Sequence, residues 1–280
     1  AIMDIRGEED VCGIQLFGPD PGEMALAAKM AEDRGAKVID INMGCPVPKV
    51  VNNGEGAALL RDIPRALKIA EAVVNAVSIP VTVKLRRGFD KDRNGITLAK
   101  ELPSVGVQAL TMHGRDRTQY YSGKADWEAI ADVKQAVSVP VIGNGDIFTH
   151  SDAVAMLRET GCDGVMLARG VLGNPWLVRE TVACLQGMPV PPAPTIGQRI
   201  DLAIRHLEES CSLYGQWLGV RYMRKFLGWY IKGFRDAAKM RRQINTLTEM
   251  SEMKECLLSY VRSCEEHGEG QWDCSVPADL

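Results

Sequence analysis

Six short apolar segments alternate with helix-forming stretches at a spacing of roughly 30 residues, and this alternation constrains the fold more than any other feature. The segments are residues 11–17, 38–43, 81–86, 108–113, 139–144 and 164–168. Each is rich in β-branched and other apolar residues, which suits a parallel strand buried on both faces. Between them, residues 23–34, 63–77, 96–104, 126–137 and 151–159 carry the Ala, Leu, Glu and Lys content of helices. Repeated β/α units around a parallel sheet follow from this pattern, and a (β/α)8 barrel is the architecture expected. Six of its eight units can be read in this chain.

Residues 189–194 (Pro-Val-Pro-Pro-Ala-Pro) form a stiff extended linker, because proline fixes φ and forbids helix. The sequence reading therefore divides the chain into a barrel over 1–188, that linker, an all-α bundle over 195–267, and a tail over 268–280 expected to be disordered. Ile200, Ala203, Ile204, Leu207 and Cys211 share one apolar helical face, as do Met223, Phe226, Leu227, Tyr230 and Ile231. A final helix is expected at 246–264, which makes about three helices in the bundle. With 280 residues and 46% hydrophobic content, the chain can bury cores for two such parts. No apolar run approaches a membrane span, and no signal peptide is expected.

Chemistry in β/α proteins collects where parallel strands end. The second segment, Val38-Ile39-Asp40-Ile41-Asn42-Met43, ends in Gly44-Cys45-Pro46, which presents a thiol at a strand terminus. The eight cysteines contain no Cys-x-x-Cys pair, so they indicate neither a zinc site nor a disulfide framework and fit a reducing cytoplasm. Gln15 can both donate and accept hydrogen bonds. Lys84 is an amine within an apolar strand, and a lysine there calls for an anionic partner. His113 ends a fourth strand. Asn144-Gly145-Asp146 and Ala168-Arg169-Gly170 end the last two, where barrels often bind phosphate through glycine amides. Gly145 lets backbone approach closely, and Arg169 can pair with a phosphate bidentately.

Two basic stretches stand out against a formal net charge of −3. The loop 113–127 mixes Arg115 and Arg117 with Tyr120 and Tyr121, a combination suited to phosphates and stacked bases. Residues 221–242 hold eight Lys and Arg, broken only by Asp236, and Arg221, Lys225 and Lys232 share a helical face. Gly233 is expected to end that helix.

Met43-Gly44-Cys45-Pro46-Val47-Pro48-Lys49-Val50, followed by Gly54-Glu55-Gly56-Ala57-Ala58-Leu59-Leu60, closely resembles the active-site segment of the tRNA-dihydrouridine synthases, the bacterial B type above all. The resemblance runs from about Gln15 to Tyr260. It implies a barrel binding FMN, with NADPH as electron donor and tRNA as partner, and a helical tRNA-binding domain. It implies that Cys45 protonates C5 of a uracil whose C6 receives hydride. That role needs a thiol still protonated near neutral pH, which the reference value of ~8.5 permits. It assigns Gln15, Lys84, His113, Asn144, Gly145, Asp146, Ala168 and Arg169 to the cofactor. Asn42, Arg86, Arg115, Arg117, Tyr121, Arg221, Arg224 and Lys225 go to the substrate. Ala168 departs from the Gly-Arg often found there, and its methyl would crowd an amide contact. Neither a metal nor a membrane enters this reading.

The resemblance also implies two further β/α units before residue 11, so the chain, which begins with Ala1, is read as N-terminally truncated, with a natural six-stranded variant as the alternative. Two other functions stay open at this level: an FMN barrel that acts on a small molecule, as dihydroorotate dehydrogenases do, and a non-catalytic tRNA-binding fragment.

Overall fold

A computed structural model describes residues 12–268. Val11 and most of the expected tail lie outside the described residues. Six strands form one sheet in chain order, β1 Gly13–Leu16, β2 Val38–Met43, β3 Val81–Arg86, β4 Ala109–His113, β5 Val141–Asn144 and β6 Gly164–Met166. Every neighbouring pair is parallel. This is the order in which a (β/α)8 barrel lays down its strands, and it agrees with the expected β/α repeat.

Helices α1 Pro21–Asp33, α2 Pro48–Val51, α3 Ile63–Ala76, α4 Asn94–Glu101, α5 Trp127–Ala136, α6 His150–Thr160 and α7 Trp176–Leu185 alternate with or follow the strands. Aspartates start three of them. Asp20, Asp62 and Asp126 accept hydrogen bonds from first-turn amides, which satisfies donors that a helix leaves open. Helix α7 had no counterpart in the sequence reading. It follows a three-residue 3-10 turn at Arg169–Val171 and lacks a side-chain cap.

The pairing register sorts the strand residues into two faces. Met43, Leu85, Met112 and Gly143 fall in one row across β2 to β5. A Cβ on Gly143 would lie 2.5 Å from Sδ of Met156 in α6, so this face lies under the helices. Its side chains Ile39, Ile41, Met43, Val83 and Leu85 are completely buried. Gln15, Asp40, Asn42, Thr82 and Lys84 alternate with them and share the opposite face.

Backbone contacts divide the chain into two units. Of the described residues, one takes 12–146 together with Ala155–Met166, and the other takes Ile147–Val154 and 167–268. Residues 188–194 have neither helix nor strand. After them come α8 Ile196–Tyr214, α9 Gln216–Tyr230, α10 Ala237–Thr246 and α11 Met250–Glu266, four helices rather than about three. The extra one, α10, is the charged stretch Ala-Ala-Lys-Met-Arg-Arg-Gln-Ile-Asn-Thr. It buries only Met240 and Ile244, one turn apart, in a stretch that is otherwise small, polar or charged, so few large apolar positions marked it as a helix of the bundle. The last helix accordingly starts at Met250 and not at residue 246.

The bundle core joins Ile200, Leu207, Val220, Met223, Leu227, Ile244, Met253 and Leu257. Thr195 and Gln198 form a capping box at the start of α8. Arg199 is buried, and its Nε donates to the carbonyl of Tyr230 at 2.9 Å, where α9 runs out of intrahelical partners. Burial lowers the Arg199 guanidinium to about 10, still charged at neutral pH.

Candidate active site

The thiol of Cys45 is held by a turn built from its own strand. Oδ1 of Asn42 accepts from the backbone N–H of Gly44 at 3.0 Å and of Cys45 at 2.9 Å. Pro46 has no N–H to extend the ladder, so β2 stops there. Beyond it, the carbonyl of Cys45 accepts from Ala57 N–H at 3.0 Å. Gly56 sits at φ +58, where a Cβ would lie 2.9 Å from that carbonyl oxygen and 3.0 Å from Cβ of Cys45. Only glycine suits that position. On the other side Nε of Arg86 donates to the carbonyl of Gly44 at 2.9 Å. Cys45 is left half-buried, as a free thiol.

The polar face of β1 to β3 continues from this turn. Nδ2 of Asn42 donates to Oε1 of Gln15 at 2.9 Å, and Nε2 of Gln15 donates to Asp40 at 2.6 Å. Thr82 Oγ1 donates to the second oxygen of Asp40 at 2.6 Å. Burial raises the Asp40 carboxyl, against the hydrogen bonds from Thr82 and Gln15 and the charge of Lys84. Lys84 lies beside Asn42 in the register. Its ammonium has no hydrogen-bond or ion-pair partner among the described residues. Burial, then the charge of Arg86, lowers it to about 8, with Asp40 and Cys45 opposing. A barrel interior is ordinarily filled by branched aliphatic side chains. This polar face instead presents an amine without a hydrogen-bond or ion-pair partner among the described residues and two amide side chains, and β2 runs on from it into the Cys45 turn.

The next strands end in structural contacts. His113 is buried at the end of β4, beside Arg86 and Asn144 in the register. Nδ2 of Asn144 donates to the carbonyl of Met166 at 2.8 Å, which fastens β5 to β6. Gly145 (φ +124) packs so that a Cβ would lie 2.7 Å from Ala125 and 3.0 Å from the His113 ring. The Asp146 carboxylate accepts from Ala125 N–H at 2.7 Å and pairs with Arg115 at 2.8 Å. The space beside the Gly145 Cα is thus closed by Ala125 and His113, and a side chain there would clash with both.

That loop is fastened from inside by arginines. Arg115 is only 1% exposed and donates to the carbonyls of Ser122 and Gly123 as well as to Asp146. Arg115, expected on RNA, is therefore an internal strut, since Nε and Nη2 are taken by Ser122, Gly123 and Asp146, Nη1 is paired with Asp146, and its surface is closed. Arg86 likewise is 3% exposed, and its Nη1 donates to the carbonyls of Asp116 and Tyr120, each at 2.9 Å. Arg87 pairs with Asp116 at 2.9 Å and Asp126 at 3.0 Å. Burial would raise Asp116, but bonds from Thr118, Gln119 and Arg87 outweigh it and hold the carboxyl below the usual range. Arg117 is half-buried, stacked 4.3 Å from the Phe89 ring centre and paired with Asp90 at 3.2 Å. Tyr121 stays 50% exposed on the loop.

In the second unit, Ala168 is exposed and Arg169 lies 5.3 Å from the Phe148 ring centre. Helix α9 separates its three arginine and lysine candidates. Arg221 lies 4.1 Å from the centre of the Trp217 ring and Lys225 lies 5.0 Å from that of Trp229. Residues 217, 221, 225 and 229 follow at intervals of four and form one ridge of alternating rings and cations. Arg224 faces elsewhere, and its Nη2 donates to the carbonyl of Leu247 at 2.7 Å, which ties α9 to the chain after α10.

The sequence reading missed Asp40, Thr82, Trp217 and Trp229. Asp40 was legible as the residue two before Asn42 on one strand face, and the tryptophans as the i−4 and i+4 neighbours of Arg221 and Lys225. No signal in the sequence marked Thr82, whose partner lies on another strand.

Comparison with known proteins adds the lineage. A model of the family described as dihydrouridine synthase matches residues 3–265. The tRNA-dihydrouridine synthase B of Xanthomonas axonopodis pv. citri is 44% identical over 244 residues, which cover 87% of this chain and 74% of that protein. The tRNA-dihydrouridine synthase B of Pseudomonas aeruginosa is 40% identical over 265 residues, which cover 94% and 80%. Among solved structures, the old yellow enzyme homologue from Zymomonas mobilis has a TM-score of 0.44 at 19% identity, over 60% of this chain and 52% of that one, too loose a likeness to add to the argument. The family match spans both units, the Cys45 turn and the α9 ridge, and the chain belongs to the dihydrouridine synthase family.

Proposed function

We propose that this protein reduces uridines in tRNA to 5,6-dihydrouridine, with FMN as its flavin and NADPH as the electron donor. The observation that carries the reading is the Cys45 turn, hung from Asn42, next to a Lys84 amine that has no hydrogen-bond or ion-pair partner among the described residues and sits beside Asn42 on one polar sheet face. That donor set fits a flavin. Lys84 would meet the negative charge of a reduced ring, Gln15 would offer an amide to it, and His113 would stand on the same sheet face. Reduced FMN, when bound there, supplies a hydride.

Cys45 holds the complementary proton. Addition of hydride at uracil C6 places negative charge on the C4 oxygen and C5, and the thiol delivers its proton to C5, which saturates the C5–C6 bond. Asn42 and Gly56 keep the thiol at one place through the turn, and Arg86 fixes the same turn from the next strand. The exposed Tyr121 and the α9 ridge serve the RNA, with rings for bases and cations for phosphates. Arg115 and Arg224 serve the fold of those surfaces. In this reading the first unit is the catalytic part and α8 to α11 belong to tRNA binding, in the cytoplasm.

The test is direct. The purified protein is supplied with FMN, NADPH and tRNA transcribed without modification, and digested nucleosides are analysed by mass spectrometry. Dihydrouridine is expected only when all are present. Reduction of free uracil-type bases with none in tRNA would favour a small-molecule oxidoreductase, and flavin-independent tRNA binding without product would favour a binding fragment.

A further inference from the structure

A backbone N–H only donates, so the amides of Gly44 and Cys45 require the oxygen of the Asn42 side chain between them. That leaves Nδ2 of Asn42 to face Gln15, whose oxygen accepts it at 2.9 Å. Nε2 of Gln15 must then find an acceptor, and it meets Asp40 at 2.6 Å. An ionised carboxylate only accepts, and its other oxygen takes the Thr82 hydroxyl at 2.6 Å. Both ends of the chain dictate the same orientation for the two amides in the middle.

We propose that Asp40 is the positioning residue of the Cys45 turn: anchored on Thr82, it orients Gln15 and Asn42 in series and so fixes the backbone that carries the thiol. These hydrogen bonds cross three strands, which explains why a carboxylate sits on a face where it has no ion-pair partner in contact among the described residues. Gln15 is exposed, so an isolated glutamine there would sample several rotamers. Held at both ends, it keeps one. The catalytic meaning of this device rests on Cys45 as the proton donor proposed above; the positioning itself needs neither flavin nor tRNA.

The experiment is alkylation of Cys45 by iodoacetamide in the full chain, followed peptide by peptide by mass spectrometry, with buried Cys162 and Cys264 as internal references. Asp40→Ala and Gln15→Leu are expected to speed alkylation of Cys45 roughly fivefold, the population shift from losing one ordinary hydrogen bond, with the references unchanged. Asp40→Asn is expected to stay within about twofold of the parent, because its oxygen can accept from Gln15 and its nitrogen can donate to Thr82. An unchanged Cys45 rate in Asp40→Ala, an Asp40→Asn rate equal to that of Asp40→Ala, or a common acceleration of all three cysteines would each overturn the proposal. Should Asp40→Ala fail to fold, Gln15→Leu decides alone by the same outcomes. Absence of dihydrouridine product with the alkylation pattern as expected would count against the uridine reductase and leave the relay standing.

Discussion

Nε of Arg86 lies 2.9 Å from the carbonyl oxygen of Gly44, and the same guanidinium reaches the carbonyls of Asp116 and Tyr120 with Nη1. One buried cation thus joins the turn that carries Cys45 to the loop that carries Tyr121. Removing it takes the donor from two buried carbonyls and a partly buried third, and hydrogen bonds from charged donors contribute about 1.5–3 kcal/mol each.

Arg86→Met is therefore expected to destabilise the protein by several kcal/mol and to open the 114–126 loop. Thermal melts and limited proteolysis would show it, with early cleavage inside that loop. A melting temperature equal to the parent's, with the loop still resistant, would show that the strut is dispensable.

Cys45→Ala removes the proton donor proposed above and none of the residues proposed to hold the flavin. Flavin affinity and reduction by NADPH are expected to stay as in the parent, while reoxidation of reduced enzyme by tRNA slows by ~10²–10⁴. Single-turnover absorbance of the flavin separates the two steps. Equal reoxidation rates would remove Cys45 from the mechanism.

Lys84 supplies a pH dependence whose sign can be worked out. Its amine is lowered from 10.5 to about 8, so its charge is lost through pH 8 in the folded protein. Flavin affinity should then weaken as pH rises from 7 to 9, and Lys84→Met should be weak throughout that range and flat with pH. Stability moves the other way. Between about 8 and 10.5 the unfolded chain binds the proton that the folded chain has released, so this group makes the fold more stable as pH rises. Fluorescence titration of FMN against pH measures the first effect. A flat profile in the parent would place Lys84 away from the flavin.

The β/α order and the strand-end positions of Cys45, Lys84 and His113 were legible in the sequence because burial and period-two alternation are local signals. What the sequence concealed is which cations face inward. Arg115 and Arg117 read alike, yet one is a closed strut on Asp146 and the other is half-buried on Phe89. That depends on acceptors far along the chain. Helix α10 hid for a related reason, since a charged stretch needs only Met240 and Ile244 to dock.

The α9 arginines give the sharpest contrast, because they are three residues apart and predict different failures. Arg221 stacks on exposed Trp217 and donates with Nη1 to the Trp217 carbonyl one turn back on the same helix, while Arg224 reaches beyond α10 to the carbonyl of Leu247. Arg221→Ala and Lys225→Ala should each weaken tRNA binding and reduce the log–log salt slope by about 0.7–0.9, as loss of one phosphate contact does. Trp217→Ala should cost about 1–3 kcal/mol if a base stacks there, with little change in the slope. Arg224→Ala should instead lower the melting temperature and leave the slope alone. Filter binding across a salt series, run beside melts of the four variants, distinguishes the classes. A slope reduced by Arg224→Ala and untouched by Arg221→Ala would reverse the assignment, and would mean that the ridge of rings and cations faces something other than RNA.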